Sequence, residues 1–321
     1  MSTDIARGQR QPEVVYLALF SGFLTLLPVF ATLGSSVLNA VAPFPLIVLA
    51  LKYPWRYLLV LVGLEGLLLL MLGHPAALIL LTQSTLVALV MGHAIRQGWS
   101  IARAILGSLM VPLLVGAIWM VLYGALAQQG PQELLTRYVE SVVRLSQEYA
   151  RTLGDMQEGD DEQLTALVAA LPQLVVTVLP ALLVISHVFT HGCNYMLVRR
   201  YGQRSQPPIV VDPEDITCWR ASDHVVWVFV ASGVALLTPH DTVSLIGINV
   251  LLLTLAIYFL QGLAIALFWG RRVPLPVSMQ CALAGIILLL AGPLCLMLCT
   301  VAGLFDLWVD FRRQRRHTPR P

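Results

Sequence analysis

Charge is what this sequence has least of. Only 12% of its 321 residues are Asp, Glu, Lys or Arg, against roughly a quarter in a soluble globular domain. Apolar residues make up 57%, the mean hydropathy is +0.77, and the apolar residues gather in long runs. A helix needs about 20 of them in a row to cross the hydrocarbon core of a bilayer. The runs do not alternate apolar with polar, which argues against a membrane β-barrel. There is no P-loop, so nucleotide hydrolysis by that route is excluded, and there is no GxSxG elbow or HExxH helix. No arginine-rich span offers a voltage sensor, and no filter-like carbonyl motif is present. Five cysteines (Cys193, Cys218, Cys281, Cys295 and Cys299) make no CxxC pair and no zinc spacing, which leaves free thiols in apolar surroundings. The first run, from Val14, lacks a small-residue cleavage site followed by a polar stretch, so it reads as a retained span.

Ten apolar segments are present: Val14–Leu33, Val37–Leu51, Tyr57–Leu72, Pro75–Met91, Ala104–Ala127, Leu164–Val198, Val225–Leu237, Val243–Trp269, Val277–Ala291 and Pro293–Val309. Several breaks between them are slight. Gly34–Ser36, Gly73–Pro75 and Gly292–Pro293 suit either hairpin tips or kinks. Lys and Arg mark alternate connections: Arg7 and Arg10, Lys52 and Arg56, Arg96 and Arg103, Arg199–Arg204, Arg271 and Arg272, and Arg312–Arg316. Because basic residues stay in the cytoplasm, the pattern predicts an all-α polytopic membrane protein. It has about ten crossings, or eight if short segments pair off, and both termini are cytoplasmic. Residues 1–200 form a six-span front bundle and 201–221 a polar cytoplasmic linker. Residues 222–310 form a four-segment rear part and 311–321 a basic tail suited to anionic lipid headgroups.

The one long outer connection carries Leu134, Tyr138, Val142, Leu145 and Tyr149 at helical spacing, with Glu140/Arg144 and Arg144/Glu148 four apart. It predicts an amphipathic helix near 131–152 on the outer membrane surface. The acidic run that follows, Asp155 to Glu162, lacks EF-hand spacing and reads as a solvated turn rather than a calcium site.

Polar groups inside hydrocarbon are costly, so each is a candidate for function. Glu65 lies midway along the third segment, where it is either a ligand or proton contact or a carboxyl bonded to a neighbouring helix. Asn39 and Gln83 suit either a ligand contact or interhelical bonding, the commoner role. His187 and His191 share a helix face and are weak metal candidates, for no third ligand is fixed by local spacing. Asp223 and His224 open the seventh segment without a nucleophile nearby in sequence. Pro43 and Pro45 break the second segment, either as a kink or to expose backbone to a cavity.

The rear part carries Ser222-Asp-His-Val-Val-Trp227, Ile246-Gly-Ile-Asn249, Tyr258-Phe-Leu-Gln-Gly-Leu-Ala264, Gly303-Leu-Phe-Asp-Leu-Trp308 and Asp310-Phe-Arg-Arg313. In these it resembles the YybS-like family of bacterial predicted membrane proteins, a resemblance that implies no activity. The front part resembles the substrate-binding subunits of energy-coupling-factor vitamin transporters: six spans, one broken by proline. In those subunits a small-residue face on the first span docks the coupling subunit, a role that Ala18-x-x-x-Gly22 would take here.

These readings lead to a small-molecule-binding or transport subunit of the bacterial inner membrane. A cavity near the outer half of the front bundle would be lined by residues such as Asn39, Glu65 and Gln83, and a membrane partner would supply energy. The alternative is a non-catalytic scaffold, with Asp306, Trp308 and Asp310 holding the tail or a partner. An intramembrane enzyme built on His187, His191 and Asp223 ranks last. No cofactor and no nucleic acid are expected.

Overall fold

The computed structural model describes residues 10–30, 35–74, 77–127, 140–141, 144, 148, 162–206, 208–209, 211 and 215–312. Every regular element among them is helical. The α-helices are α1 (Arg10–Phe30), α2 (Ser35–Val41), α3 (Pro43–Lys52), α4 (Trp55–Met71), α5 (Ala77–Arg96), α6 (Ile101–Ala127), α7 (Glu162–Gly202), α8 (Val225–Leu236), α9 (Asp241–Gly270) and α10 (Val277–Val309). A single 3-10 turn, η1 (Ile216–Cys218), lies between α7 and α8. Five stretches are long and apolar enough to cross a bilayer: Ala77–Arg96, Ile101–Trp119, Leu174–Gly202, Asp241–Gly270 and Leu290–Val309. The stretches Pro12–Leu27, Leu38–Lys52 and Val225–Leu236 are apolar but shorter. The amphipathic stretch near 131–152 and the basic tail lie almost wholly outside the described residues.

One expected segment is broken at its prolines, and two others join. The second is split into α2 and α3 at Ala42, because Pro43 and Pro45 lack the N–H groups that the carbonyls of Asn39 and Val41 would use. The Ala42 N–H closes back onto the Asn39 carbonyl at 3.3 Å instead. The last two segments, between which Gly292–Pro293 suited either a hairpin tip or a kink, form a single helix, α10, with a kink at Ala291 (φ −135°, ψ 32°) just before Pro293.

The chain divides into two compact units. Residues 1–141 and 186–213 make the first, in which α5 packs on α3, α4 and α6, and α1 packs on α2, α3 and α4. Val87, Val111 and Val115 form a buried cluster between α5 and α6. At one end, Lys52 pairs with Glu13, which also accepts hydrogen bonds from the hydroxyls of Tyr53 (2.7 Å) and Tyr201. Arg96 donates to the carbonyls of Ala50 and Leu51, the unpaired end of α3, where a cation also suits the helix dipole.

Residues 142–185 and 214–321 make the second unit, whose centre is the α9–α10 contact. Gly262 and Gly303 let the two backbones meet. A Cβ on Gly262 would fall 1.7 Å from the Cys299 carbonyl oxygen, and one on Gly303 would fall 1.9 Å from that of Tyr258. Small residues at such contacts supply the van der Waals packing that holds helices together in lipid. Asn249 joins α9 to the turn of α7 that contains Pro180. Its side-chain oxygen accepts from the Ala181 N–H and its amide donates to the Thr177 carbonyl, both at 2.9 Å.

The end of α10 folds back on the linker. Asp306 is fully buried and accepts from Gln261 (2.9 Å), the Phe311 N–H (3.0 Å) and Arg312. Arg312 also donates to the carbonyls of Thr217 (3.0 Å) and Trp219 (2.8 Å). Asp310 ends the helix in the left-handed conformation (φ 46°), a position glycine usually takes and Asn or Asp tolerates. In the linker, the Asp215 carboxylate caps η1 through the Thr217 N–H (3.1 Å) and is held by Arg271 at 3.0 and 2.9 Å. Burial pushes the Asp215 carboxyl up, but the Thr217 hydrogen bonds and the Arg271 guanidinium outweigh it and hold the group below its ordinary value.

Two outcomes follow from these contacts. In equilibrium unfolding in mixed micelles, Gly303→Ala is expected to cost about 3 kcal/mol or more, because both colliding groups are backbone. Gly22→Ala, whose new Cβ would meet nothing within 4 Å, should stay within about 0.5 kcal/mol of the parent. Asp215→Asn should lower stability at neutral pH by at most about 1 kcal/mol, as befits a solvated pair. Because the folded-state carboxyl is depressed, its contribution is present above the ordinary Asp value. It fades as pH falls through the depressed one, so parent and variant melting temperatures should converge in acid.

Candidate functional site

The break between α2 and α3 opens onto a cavity of about 570 Å³ within the first unit. Thr25 of α1 and Asn39, Ala40, Ala42 and Pro43 at the break form one wall. Across it stand Ala77, Leu80, Leu81, Ser84 and Val87, which recur at three- and four-residue spacing on one face of α5, with Gln83 beside them. Ser186, His187, Thr190 and His191 supply a third wall from one face of α7, and His74 comes from the turn after α4. Among the described residues no Asp, Glu, Lys or Arg lines the cavity. The lining is thus uncharged: amides, imidazoles and hydroxyls set among Ala, Leu, Pro and Val.

Two walls are fixed from behind. Asn194, one turn on from Thr190, donates to the Thr190 carbonyl (2.7 Å) and to that of Ala40 (2.6 Å), tying α7 to the broken segment. His191 is buried, and its Nδ1 lies 2.9 Å from the hydroxyl of Ser108 on α6. That hydroxyl is also 2.9 Å from the Ile105 carbonyl. The His187 and His191 rings lie 5.8 Å apart between centroids. Among the described residues they meet no third His, Cys, Asp or Glu at metal-binding distance.

The candidate residues separate as follows. Asn39, Gln83, His187 and His191 come together around the cavity. Glu65 is not in its lining. It lies on the buried stripe of α4 with Leu58 and Leu69, where its Oε2 accepts from the Thr25 hydroxyl at 3.3 Å. Ala18 and Gly22 are half-buried on α1. Asp306 is the buried hub of the α10 terminus and Asp310 its turn, while Trp308 is exposed beside the Phe305 ring. Asp223 belongs to the second unit, exposed and paired with Arg220 at 3.3 Å. The sequence pattern did not single out Thr25, Ser84, Ser108 or Asn194. Ser84 shares an α5 face with Ala77 and Val87, a signal available in the spacing. Ser108 and His191 are 83 residues apart, and no local spacing joins them.

No curated protein matches the chain, and no solved structure does. Nothing in the comparisons carries the YybS-like name or the likeness to vitamin-transporter subunits. One family match runs almost from end to end, over residues 14–307, and it agrees with the apolar helices and the near absence of charge described above: the chain belongs to the family described as predicted membrane protein DUF2232.

Proposed function

We propose that the first unit binds a small, uncharged, polar molecule in its cavity, as the ligand-binding part of a transport system in the bacterial cytoplasmic membrane. The observation that carries this reading is the lining. A volume of about 570 Å³ falls within the usual range for small-molecule sites, roughly 300–1,000 Å³. Its apolar surface, punctuated by Asn39, Gln83, Thr25, Ser84 and two imidazoles, suits a neutral ligand with several donors and acceptors. A charged ligand would find no counter-ion there.

Orientation follows the basic residues. Lys52 and Arg96 stand at the Glu13 end of the unit, the cytoplasmic end by the distribution of Lys and Arg. Thr25 lies 12 residues further along α1, about 18 Å away, which puts the cavity in the outer half. Both termini inside remain what this distribution favours, and with the last two segments joined in α10 the count of eight crossings takes the place of ten. A coupling partner docked along Ala18 and Gly22 would find open space beside Gly22, where a Cβ would touch nothing.

Thermal unfolding of the full chain in detergent, screened against neutral polyols, amides and nucleosides, tests the reading. A true ligand at a hundredfold excess over its Kd should stabilise the protein by about 2.7 kcal/mol. Gln83→Leu should weaken binding about tenfold, the worth of a hydrogen bond of roughly 1.4 kcal/mol. Ser84→Trp, which fills the cavity, should abolish the shift while leaving the unliganded melt intact. If no compound shifts the melt and solvent extraction of the purified protein releases no small molecule, the reading fails.

A further inference from the structure

A second group stands one side chain behind the cavity wall. Glu65 is 4% exposed, midway along a helix whose neighbouring Leu64, Leu67 and Leu68 face outward. Thr25 is both a lining residue of the cavity and the donor to Glu65 Oε2, at 3.3 Å. The other carboxyl oxygen, Oε1, is buried without a hydrogen bond, and the Ser21 hydroxyl stands beside the carboxyl on α1. The elements packed on α4 are α1, α3 and α5. The charged or titratable groups on them, among residues with described side chains, are Glu13 and the exposed Tyr16 on α1, Lys52 on α3, and His93 and Arg96 on α5. All lie towards the opposite end. Glu13 is eight residues below Ser21, about 12 Å along α1, and Lys52 is paired with it. His93 is 12 residues past Leu81, about 18 Å, where Leu81 marks the level of Gly66. On α4 itself Arg56 is nine residues away, about 13 Å, and His74 follows the helix by a similar distance. Among the described residues, none of these charged groups therefore stands at the level of this carboxyl, where the polar neighbours are the Thr25 and Ser21 hydroxyls.

We infer that Glu65 is a proton-binding site served from the cavity, with the Thr25 hydroxyl as the single relay between them. An isolated carboxylate in low-dielectric surroundings is costly, and with no counter-ion in reach among the described residues its charge is removed by a proton. In the step, a hydronium ion in the cavity gives a proton to the Thr25 oxygen as the Thr25 hydroxyl proton passes to Glu65 Oε2. Water remains in the cavity, the hydroxyl is regenerated and the carboxylate becomes a neutral carboxyl. The relay rests on the proposed ligand site only for its purpose, which is to let a proton gradient drive or regulate occupancy of the same cavity. The exchange itself needs no ligand.

Infrared difference spectroscopy on the full chain in lipid nanodiscs, with D2O as the probe, tests this. The parent should show a protonated-carboxyl band that Glu65→Gln removes and that shifts when D2O is perfused. Should Glu65→Gln fail to fold, Glu65→Asp, which moves the band without removing the acid, makes the assignment. Thr25→Val should slow the shift roughly tenfold or more, Thr25→Ser should restore it, and Ser84→Trp should slow it by blocking the cavity. If the parent lacks the band, or exchange is as fast in Thr25→Val as in the parent, the inference is overturned. A fast, Thr25-dependent exchange in a protein that binds none of the screened compounds would leave the relay standing and remove the ligand reading alone.

Discussion

Inside a bilayer a polar group has no water to turn to, so whatever polarity the chain carries inward must be satisfied by the chain itself. Helices satisfy the backbone, and the described elements follow that rule throughout. The exceptions are the places where the ladder is interrupted, and a side chain is brought to most of them. Asn249 bonds the Thr177 carbonyl and the Ala181 N–H on either side of Pro180. Asn194 bonds the Ala40 carbonyl next to the proline pair that splits α2 from α3. Arg96 reaches the carbonyls at the end of α3. Each is a long-range contact made beside a proline or at a helix end.

The same constraint explains why the second unit depends on glycine. Lipid tails are as apolar as Leu, so burying one more Leu between helices gains little, whereas bringing backbones into contact gains dispersion on both sides. Gly262 and Gly303 face the Cys299 and Tyr258 carbonyls across α9 and α10, and Gln261, next to Gly262, bonds both Asp306 and the Ala221 N–H. The buried Asp306–Arg312 pair is retained with further hydrogen bonds to the carboxylate from Gln261 and the Phe311 N–H, and such bonds are the condition under which a buried ion pair is tolerated. The residues that mark the rear of the sequence thus act together as packing and closure of one helix pair.

In the first unit the polar residues are arranged differently. Rather than being consumed by interhelical bonds, several of them converge on open space beside a broken helix, backed by Ser108 and Asn194. Glu65 and Thr25 stand at the edge of that space. This contrast is what supports the proposed binding reading.

The sequence by itself determined the class: long apolar runs with little charge point to membrane helices, and Pro43, Pro45 and Pro293 marked where those helices break or bend. It also picked out Asn39, Gln83, His187 and His191, because amides and imidazoles are conspicuous in an apolar run. Local pattern left Gly292–Pro293 open between a reversal and a kink, since proline removes a donor in either case, and the kink at Ala291 belongs to the folded helix. Only the tertiary structure decided that Glu65 stands behind the cavity rather than in its wall. Only it joined Ser108 to His191, Thr25 to Glu65 and Asp306 to Arg312 in one folded terminus. The physical reason is that helical spacing fixes which residues share a face, but which face meets which neighbour depends on packing between helices distant in sequence.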